Sequence, residues 1–380
     1  MARRVVVAPN AFKGSLSAAQ AAAAMAAGVT DAWPDAEVVE LPLADGGVGM
    51  AELVTRALCG RMVLVTVRGP RGEPVTASYG RVGDRAYMDM AAAAGLALVP
   101  PTKRDPLRAT TYGLGELMRR AMDDGCRELV VGLGDSATVD GGLGAGVALG
   151  LLAVDAQGRP VAEGGRGLAE LAALDGSRLD RRLCDGTVTV TAAVDVDNPL
   201  AGPQGAAPVF GPQKGASPDT VAHLDTALAA LGDLYARTFG RAVAELPGAG
   251  AAGGLGAGLA AWARAGIRSG AELVLDALRF EDRLAGVRLL LVGEGRLDAQ
   301  TLRGKSPVAA ARRAAACGVP VAGLAASLGP GWERLGEAGI RAVAVLVPGP
   351  LSIGEAIRQA PVLLRQATAR ALAWTSLGDR

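Results

Sequence analysis

Val287-Arg288-Leu289-Leu290-Leu291-Val292-Gly293-Glu294-Gly295-Arg296-Leu297-Asp298-Ala299-Gln300-Thr301-Leu302-Arg303-Gly304-Lys305-Ser306-Pro307 is the stretch that decides the fold class. Its apolar opening, Val287 to Val292, reads as a buried parallel strand. The Ala-rich run from Val308 reads as a helix, with Pro307 suited to its first turn. A loop carrying Glu294, Asp298, Lys305 and several glycines therefore leaves the C-terminal end of a strand, which is where open α/β sheets bind ligands. Carboxylates at such a place hold Mg²⁺, and a lysine beside a helix N-terminus holds phosphate. The segment approaches the pattern G-x-x-x-x-G-K-[ST] without meeting it, because Ala299 stands where the first glycine is required. Taken alone, it is also compatible with an ordinary polar connection between a strand and a helix.

Working outward, the N-terminus repeats the same order. Arg4 to Ala8 is a strand, Pro9 to Leu16 a loop, and Ser17 with Gln20 a capping-box pattern ahead of a helix that runs to about Val29. Val38 to Leu43 is a second strand, closed by Ala44-Asp45-Gly46-Gly47, and a helix from about Val48 to Leu58 follows. This alternation predicts a doubly wound parallel sheet. Between Met62 and Met90 three short strands, Val63–Val67, Val75–Tyr79 and Arg85–Asp89, read as a meander. The alternating order then returns, with strands at Leu129–Gly132 and Val188–Val194, a helix from about Gly144 and another from Pro218 to Phe239. Past Arg288, strands are expected at Val319–Leu324 and Ala342–Val347, and a terminal helix at Val362–Leu377. Two strands and two helices are too few to close the first domain, and the last hundred residues complete it. The expected organisation is therefore α/β in two domains: a discontinuous one of residues 1–61 and 288–380, and an inserted one of residues 62–287. Gly141–Gly146 and Gly253–Gly258 echo each other, each expected to open a helix packed closely on its neighbours.

Composition removes several function classes. Aromatic residues make up 3% of the 380, so the core is aliphatic and base stacking on aromatic platforms is excluded. The 39 Lys and Arg balance 38 Asp and Glu without a basic block, so nucleic acid is not an expected partner. Cys59, Cys126, Cys184 and Cys317 are scattered, which argues against structural zinc or a redox dithiol and for a reduced, cytoplasmic protein. His223 is the only histidine, on a predicted amphipathic helix, so a Ser-His-Asp hydrolase is improbable. Leu246 to Ala263 is uncharged over nearly a membrane-spanning length, but its glycines and Pro247 favour a Gly-rich loop and a helix, with no membrane partner.

Five loops follow predicted strands with polar residues and glycines: Pro9–Ser17, Asp45–Gly49, Gly132–Gly144, Asp195–Gly215 and Gly293–Ser306. Together they supply what phosphoryl transfer requires. Lys13, Lys214 and Lys305 are cations for phosphate. Asp45, Asp195, Asp197, Glu294 and Asp298 are carboxylates for metal and base roles. Gly134, Ser136 and Thr138 offer hydroxyls and close backbone approach. Competing structural roles are a solvated loop lysine for Lys13, a helix cap for Asp45 and for Asp140, and a turn for Asn198-Pro199.

At these same loops the chain resembles the bacterial type-1 glycerate kinase family. The segments that carry the resemblance are Pro9-Asn10-Ala11-Phe12-Lys13-Gly14-Ser15-Leu16-Ser17-Ala18, Ala44-Asp45-Gly46-Gly47, Gly132 to Gly142, Asp195-Val196-Asp197-Asn198-Pro199-Leu200, Phe210-Gly211-Pro212-Gln213-Lys214-Gly215-Ala216, Gly250 to Gly258 and Gly293 to Lys305. The resemblance runs essentially end to end. It implies a flavodoxin-like domain built from both chain ends, an inserted α/β domain, and an ATP-dependent kinase that phosphorylates glycerate, commonly at the 2-hydroxyl. On that basis the catalytic candidates are Lys13, Asp45 and Asp195, with Asp195 orienting the glycerate hydroxyl and Asp45 its rival. The nucleotide candidates are Ser15, Gly134, Ser136, Thr138, Lys214 and Lys305. Asn198 and Arg296 are assigned to glycerate, and Glu294 and Asp298 to Mg²⁺. The chain departs from the family pattern at Val48, usually acidic, at Met50, usually Thr, and at Asp135, usually Gly. The alternatives left open are a kinase for a related small hydroxy acid and a non-catalytic nucleotide-binding descendant. The expected assembly is a monomer or a homodimer.

Overall fold

The structure, a computed structural model, describes residues 3–375. In chain order its strands are β1 (Arg4–Pro9), β2 (Glu37–Glu40), β3 (Arg61–Arg68), β4 (Pro74–Val82), β5 (Arg85–Asp89), β6 (Glu128–Gly132), β7 (Leu152–Val154), β8 (Ala173–Asp175), β9 (Thr189–Val194), β10 (Gly266–Ser269), β11 (Leu289–Leu297), β12 (Val321–Leu328) and β13 (Ile340–Val345). They fall into two compact units. One is built from the two ends of the chain, up to Asp45 and from Ala271 onward, and the other runs Gly46–Gly270. These limits differ from the expected 61/62 and 287/288. The helix Met50–Ala57 packs on β4 and β5 of the second unit. It sits so close that a Cβ at Gly80 would lie 1.6 Å from Thr55 Oγ1. Glu272 and Asp276 pair with Arg313 of the first unit.

The first unit holds a fully parallel sheet ordered β2-β1-β11-β12-β13. This is the flavodoxin-like order, in which the strand sequence reverses between β1 and its neighbour β11. Val5 and Val7 of β1 pack with Ala21, Ala22, Met25 and Val29 of the helix Ala18–Ala32 and with Leu363 and Leu364 of the helix Ala360–Thr375. The first helix opens on the expected capping box, Ser17 and Gln20 each bonding the other's backbone N–H. Of the expected terminal helix, residues 376 and 377 lie outside the described residues.

The second unit holds a sheet ordered β10-β9-β6-β5-β4-β3. Strands β10, β9, β6 and β5 are parallel, and β5, β4 and β3 form the antiparallel meander. Strands β7 and β8 make a separate antiparallel pair. The two glycine echoes pack on each other. Gly141 N–H donates to Gly253 O at 3.0 Å, and a Cβ at Gly258 would lie 2.5 Å from Gly141 O. Among the described residues, no helix is long and apolar enough to cross a membrane.

Strand β11 is longer than the sequence suggests. It continues past Val292 because Glu294 and Arg296 pair with Ala325 and Ser327 of β12, so Glu294 lies in the strand and not in the loop after it. Gly293 and Gly295 at this end admit the neighbouring chain: a Cβ at Gly293 would stand 3.3 Å from the Phe12 ring, and one at Gly295 3.5 Å from Lys13 N.

Close approach of the two helices over β1 sets a test of this packing. A Cβ at Gly28 would lie 2.3 Å from Arg365 O and 2.7 Å from Thr368 Cβ. Gly28→Ala is expected to destabilise the protein by about 1–3 kcal/mol, the usual cost of overpacking. Urea unfolding checks it, and wild-type stability would show that the helices separate without cost.

Candidate active site

At the switch point of the first unit, three strand ends come level. Pro9 at the end of β1 is in register with Gly293 of β11, and Leu43 N–H beyond β2 donates to Pro9 O. Asn10, Asp45 and Glu294 therefore share one edge. Asn10 is fixed on three sides. Its N–H donates to Gly293 O, its Oδ1 accepts from Ala11 N–H at 2.7 Å, and its Nδ2 donates to Asp45 Oδ2 at 2.7 Å. Asp45 is half-buried and does not cap a helix. The helix Met50–Ala57 has Gly49 as its N-cap residue, which has no side chain to cap with.

Glu294 is 7% exposed. Its Oε1 accepts from Thr301 Oγ1 at 2.7 Å, and Lys305 Nζ stands 3.7 Å from its Oε2. Burial pushes its pKa up, Lys305 and Thr301 oppose that, and the carboxylates of Asp45 and Asp298 add to the rise. Lys305 is the N-cap residue of the helix Ser306–Ala316. That position places its charge where the helix dipole also favours an anion. Asp298 caps its own turn, accepting from Gln300 N–H at 2.8 Å, and pairs with exposed Arg296 at 3.2 Å. Lys13 is exposed on the turn after β1, next to Gly14 in the left-handed region at φ 79°. The Ser15 hydroxyl donates to Phe12 O at 2.9 Å and is spent on that turn.

Glu294 and Asp298 are the two carboxylates that the sequence assigns to Mg²⁺. Among the described residues no three His, Cys, Asp or Glu converge to hold a metal by themselves. The mutual repulsion of Glu294, Asp45 and Asp298 is the electrostatic condition that a cation relieves.

In the second unit the parallel strands β5, β6 and β9 end side by side, with Asp89 in register with Gly132 and Gly132 with Ala193. Asp89 ends β5, the loop Gly132–Gly144 leaves β6, and half-buried Asp195 with exposed Asp197 follow β9. Asp89 accepts from Gly49 N–H at 2.8 Å and Ala51 N–H at 3.0 Å, capping the helix Met50–Ala57. Burial pushes its carboxyl up to about 6, the two N–H bonds oppose, and Asp135 and Glu52 add to the rise. Asp135 is exposed and sits at φ 56°, a conformation that a glycine adopts without strain. Its Oδ2 accepts from Val48 N–H at 3.4 Å, so a carboxylate stands beside position 48 although that position is Val. Met50 is buried.

Several expected ligand contacts turn inward. Ser136 is 5% exposed and Thr138 0%. Lys214, at 2%, donates to Ser136 Oγ and to Thr138 O, each at 2.7 Å. The Asn198 amide donates to Gln204 O at 2.7 Å, and Asn198-Pro199 lie in an irregular stretch without a turn of their own. Lys214 Nζ, Ser136 Oγ and Thr138 O thus tie two loops together, and the Asn198 amide closes its own loop. Asp140 is wholly buried and accepts from Thr111, Gly142 and Gly144, a structural role at the start of the helix Leu143–Ala148. His223 is exposed. Asn10, Asp89 and Thr301 carried no assigned role in the sequence. An aspartate at the end of a predicted strand was a signal for Asp89, whereas Thr301 becomes visible only once the chain folds back on Glu294.

A sequence model of the Glycerate kinase family matches residues 5–376. A glycerate kinase of Halalkalibacterium halodurans is 45% identical over 365 residues, 96% of each chain. A glycerate 2-kinase of Escherichia coli K12 is 41% identical over 379 residues, 99% of each chain. A crystal structure from Salmonella typhimurium LT2 that bears the designation glycerate kinase 2 aligns with a TM-score of 0.83 at 44% identity, covering 100% of both chains.

The buried carboxyl of Asp89 gives a pH prediction. Its folded value of about 6 exceeds the ordinary aspartate value of 3.8, so the native state holds the proton more tightly than the unfolded chain. The resulting stability is present at low pH and lost as pH rises through about 6. Relative to Asp89→Asn, the wild type is expected to lose up to about 3 kcal/mol of unfolding free energy between about pH 4 and pH 6.5. Urea unfolding across that range checks it, and a constant difference would contradict it.

Proposed function

The chain belongs to the glycerate kinase family, and from that premise we propose that it transfers the γ-phosphate of Mg²⁺-ATP to the 2-hydroxyl of D-glycerate, giving 2-phosphoglycerate and ADP. The observation that carries this reading is the grouping at the switch point: buried Glu294 held by Thr301, with Lys305 3.7 Å away at a helix N-terminus. An acid and a cation so placed suit a metal-bound triphosphate.

In this reading Lys305 and Lys13 hold phosphate oxygens and stabilise the charge that spreads over the transferred group. Glu294 and Asp298 are the carboxylates for Mg²⁺, which when bound neutralises charge on the β- and γ-phosphates. Exposed Arg296 is the cation for the glycerate carboxylate. Asp195 takes the proton of the attacking hydroxyl as the new P–O bond forms and the bond to ADP breaks. A second assignment gives that proton to Asp45, favoured by the hydrogen bond through which Asn10 fixes its carboxylate at 2.7 Å. The reaction needs neither histidine nor an aromatic clamp, in keeping with a chain that has one His and 3% aromatics. An ATP-consuming step on a small organic acid belongs in the cytoplasm.

The assay is ADP release with Mg²⁺-ATP and D-glycerate, with the product's phosphate position read by ³¹P NMR. Release dependent on D-glycerate and a 2-phosphoglycerate resonance are expected. No dependence on D-glycerate, or a 3-phosphoglycerate product, would contradict the proposal. Asp195→Asn is expected to lower kcat by about 10²–10⁴-fold with the fold intact. Wild-type kcat in that variant, with loss in Asp45→Asn, would move the base role to Asp45.

A further inference from the structure

Lys214 is a lysine kept inside the protein, at 2% exposure. A buried ammonium is costly unless it is fully engaged, and here its bonds go to one loop. Nζ donates to Ser136 Oγ and Thr138 O, each at 2.7 Å. Burial pulls its pKa down to about 7, with the Asp140 carboxylate opposing. Its turn, Pro212–Lys214, is seated firmly. Gly215 stands at φ 96°, and a Cβ there would lie 2.4 Å from Arg104 O. Arg104 Nη1 also donates to Gln213 O at 3.2 Å.

The loop above the ammonium is the one that leaves β6. Between the two tied positions and the strand end lie Gly134, whose N–H donates to Gly46 O at 3.0 Å, and exposed Asp135, whose carboxylate accepts from Val48 N–H. Leu96 N–H donates to Asp135 O at 2.8 Å. The chain of contacts thus runs from Lys214 through Ser136 and Thr138 to Asp135, and on to Gly46 and Val48.

We propose that Lys214 is a positioning residue for phosphoryl transfer: by holding Ser136 and Thr138 from beneath, it fixes Gly134 and Asp135 between the strand ends that carry Asp89 and Asp195. The kinetic part of this inference rests on the kinase reading above, and the structural part does not. A lysine that only fills the core would leave turnover of the folded protein unchanged when replaced by an apolar side chain of similar length.

The test uses the full chain with Lys214→Met, which removes every donor and keeps the length. Turnover per folded molecule is expected to fall by about tenfold or more, with KM for ATP and D-glycerate within about threefold and no lower unfolding midpoint. Amide exchange at Gly134–Thr138 is expected to quicken by about tenfold, without change in β3 and β4. Ethylammonium is expected to restore turnover to Lys214→Ala in a saturable way. Wild-type turnover, a loss that follows a lowered midpoint, or unchanged loop exchange would overturn the proposal. If Lys214→Met does not fold, Ser136→Ala carries the test, and wild-type turnover in that variant overturns it. If the wild type itself fails to turn over D-glycerate, the kinase reading falls, and loop exchange alone decides whether Lys214 holds the loop.

Discussion

Reversal of strand order between β1 and β11 is the constraint on which the first unit's chemistry depends. With the sheet ordered β2-β1-β11-β12-β13, the chain leaves these two adjacent parallel strands toward opposite sides, and their ends are left uncovered by a connecting helix. The unit's candidate site residues are gathered there. Asn10 and Lys13 follow β1, Asp45 follows β2, Glu294 lies in β11, and Lys305 caps the next helix. Gly293 leaves room for the Phe12 ring, and Gly295 for the Phe12–Lys13 backbone. Bulkier residues there would push the lysine-bearing turn away from the acid.

Electrostatics then give the edge its character. Glu294 is buried among other carboxylates, so its negative charge is poorly tolerated and Lys305 only partly relieves it. A site in that condition favours a cation. The second unit repeats the device with different parts. Asp89 is held by the start of a helix, and Asp135 is held in a left-handed conformation beside an apolar residue. Asp135 thereby places a carboxylate on the Val48 N–H.

Much of this was legible in the sequence where local and tertiary preferences agree. The capping box at Ser17 and Gln20, the helix Pro218–Phe239 and the meander of β3, β4 and β5 all follow from short-range signals. The α/β class followed from alternation, and the discontinuous first domain from an N-terminal unit too short to close by itself. What was not legible depends on partners distant in sequence. Glu294 read as a loop residue because glycines flank it, yet pairing with Ala325 keeps it in a strand. Ser136, Thr138 and Lys214 read as ligand contacts because each is polar in a Gly-rich loop. Lys214 instead bonds Ser136 Oγ and Thr138 O, because the turn at Gly215 seats the lysine inward. The helix Met50–Ala57 followed β2 in sequence, but its apolar face fits β4 and β5, which moved the boundary between units.

Glu294 as the acid that makes ATP binding depend on magnesium is the central claim, and calorimetric titration of ATP with and without Mg²⁺ tests it most directly. In the wild type Mg²⁺ is expected to tighten ATP binding by about tenfold or more. In Glu294→Gln that gain should vanish, while affinity for metal-free ATP stays within about threefold of the wild type. A Glu294→Gln protein that keeps the full magnesium gain would contradict the account.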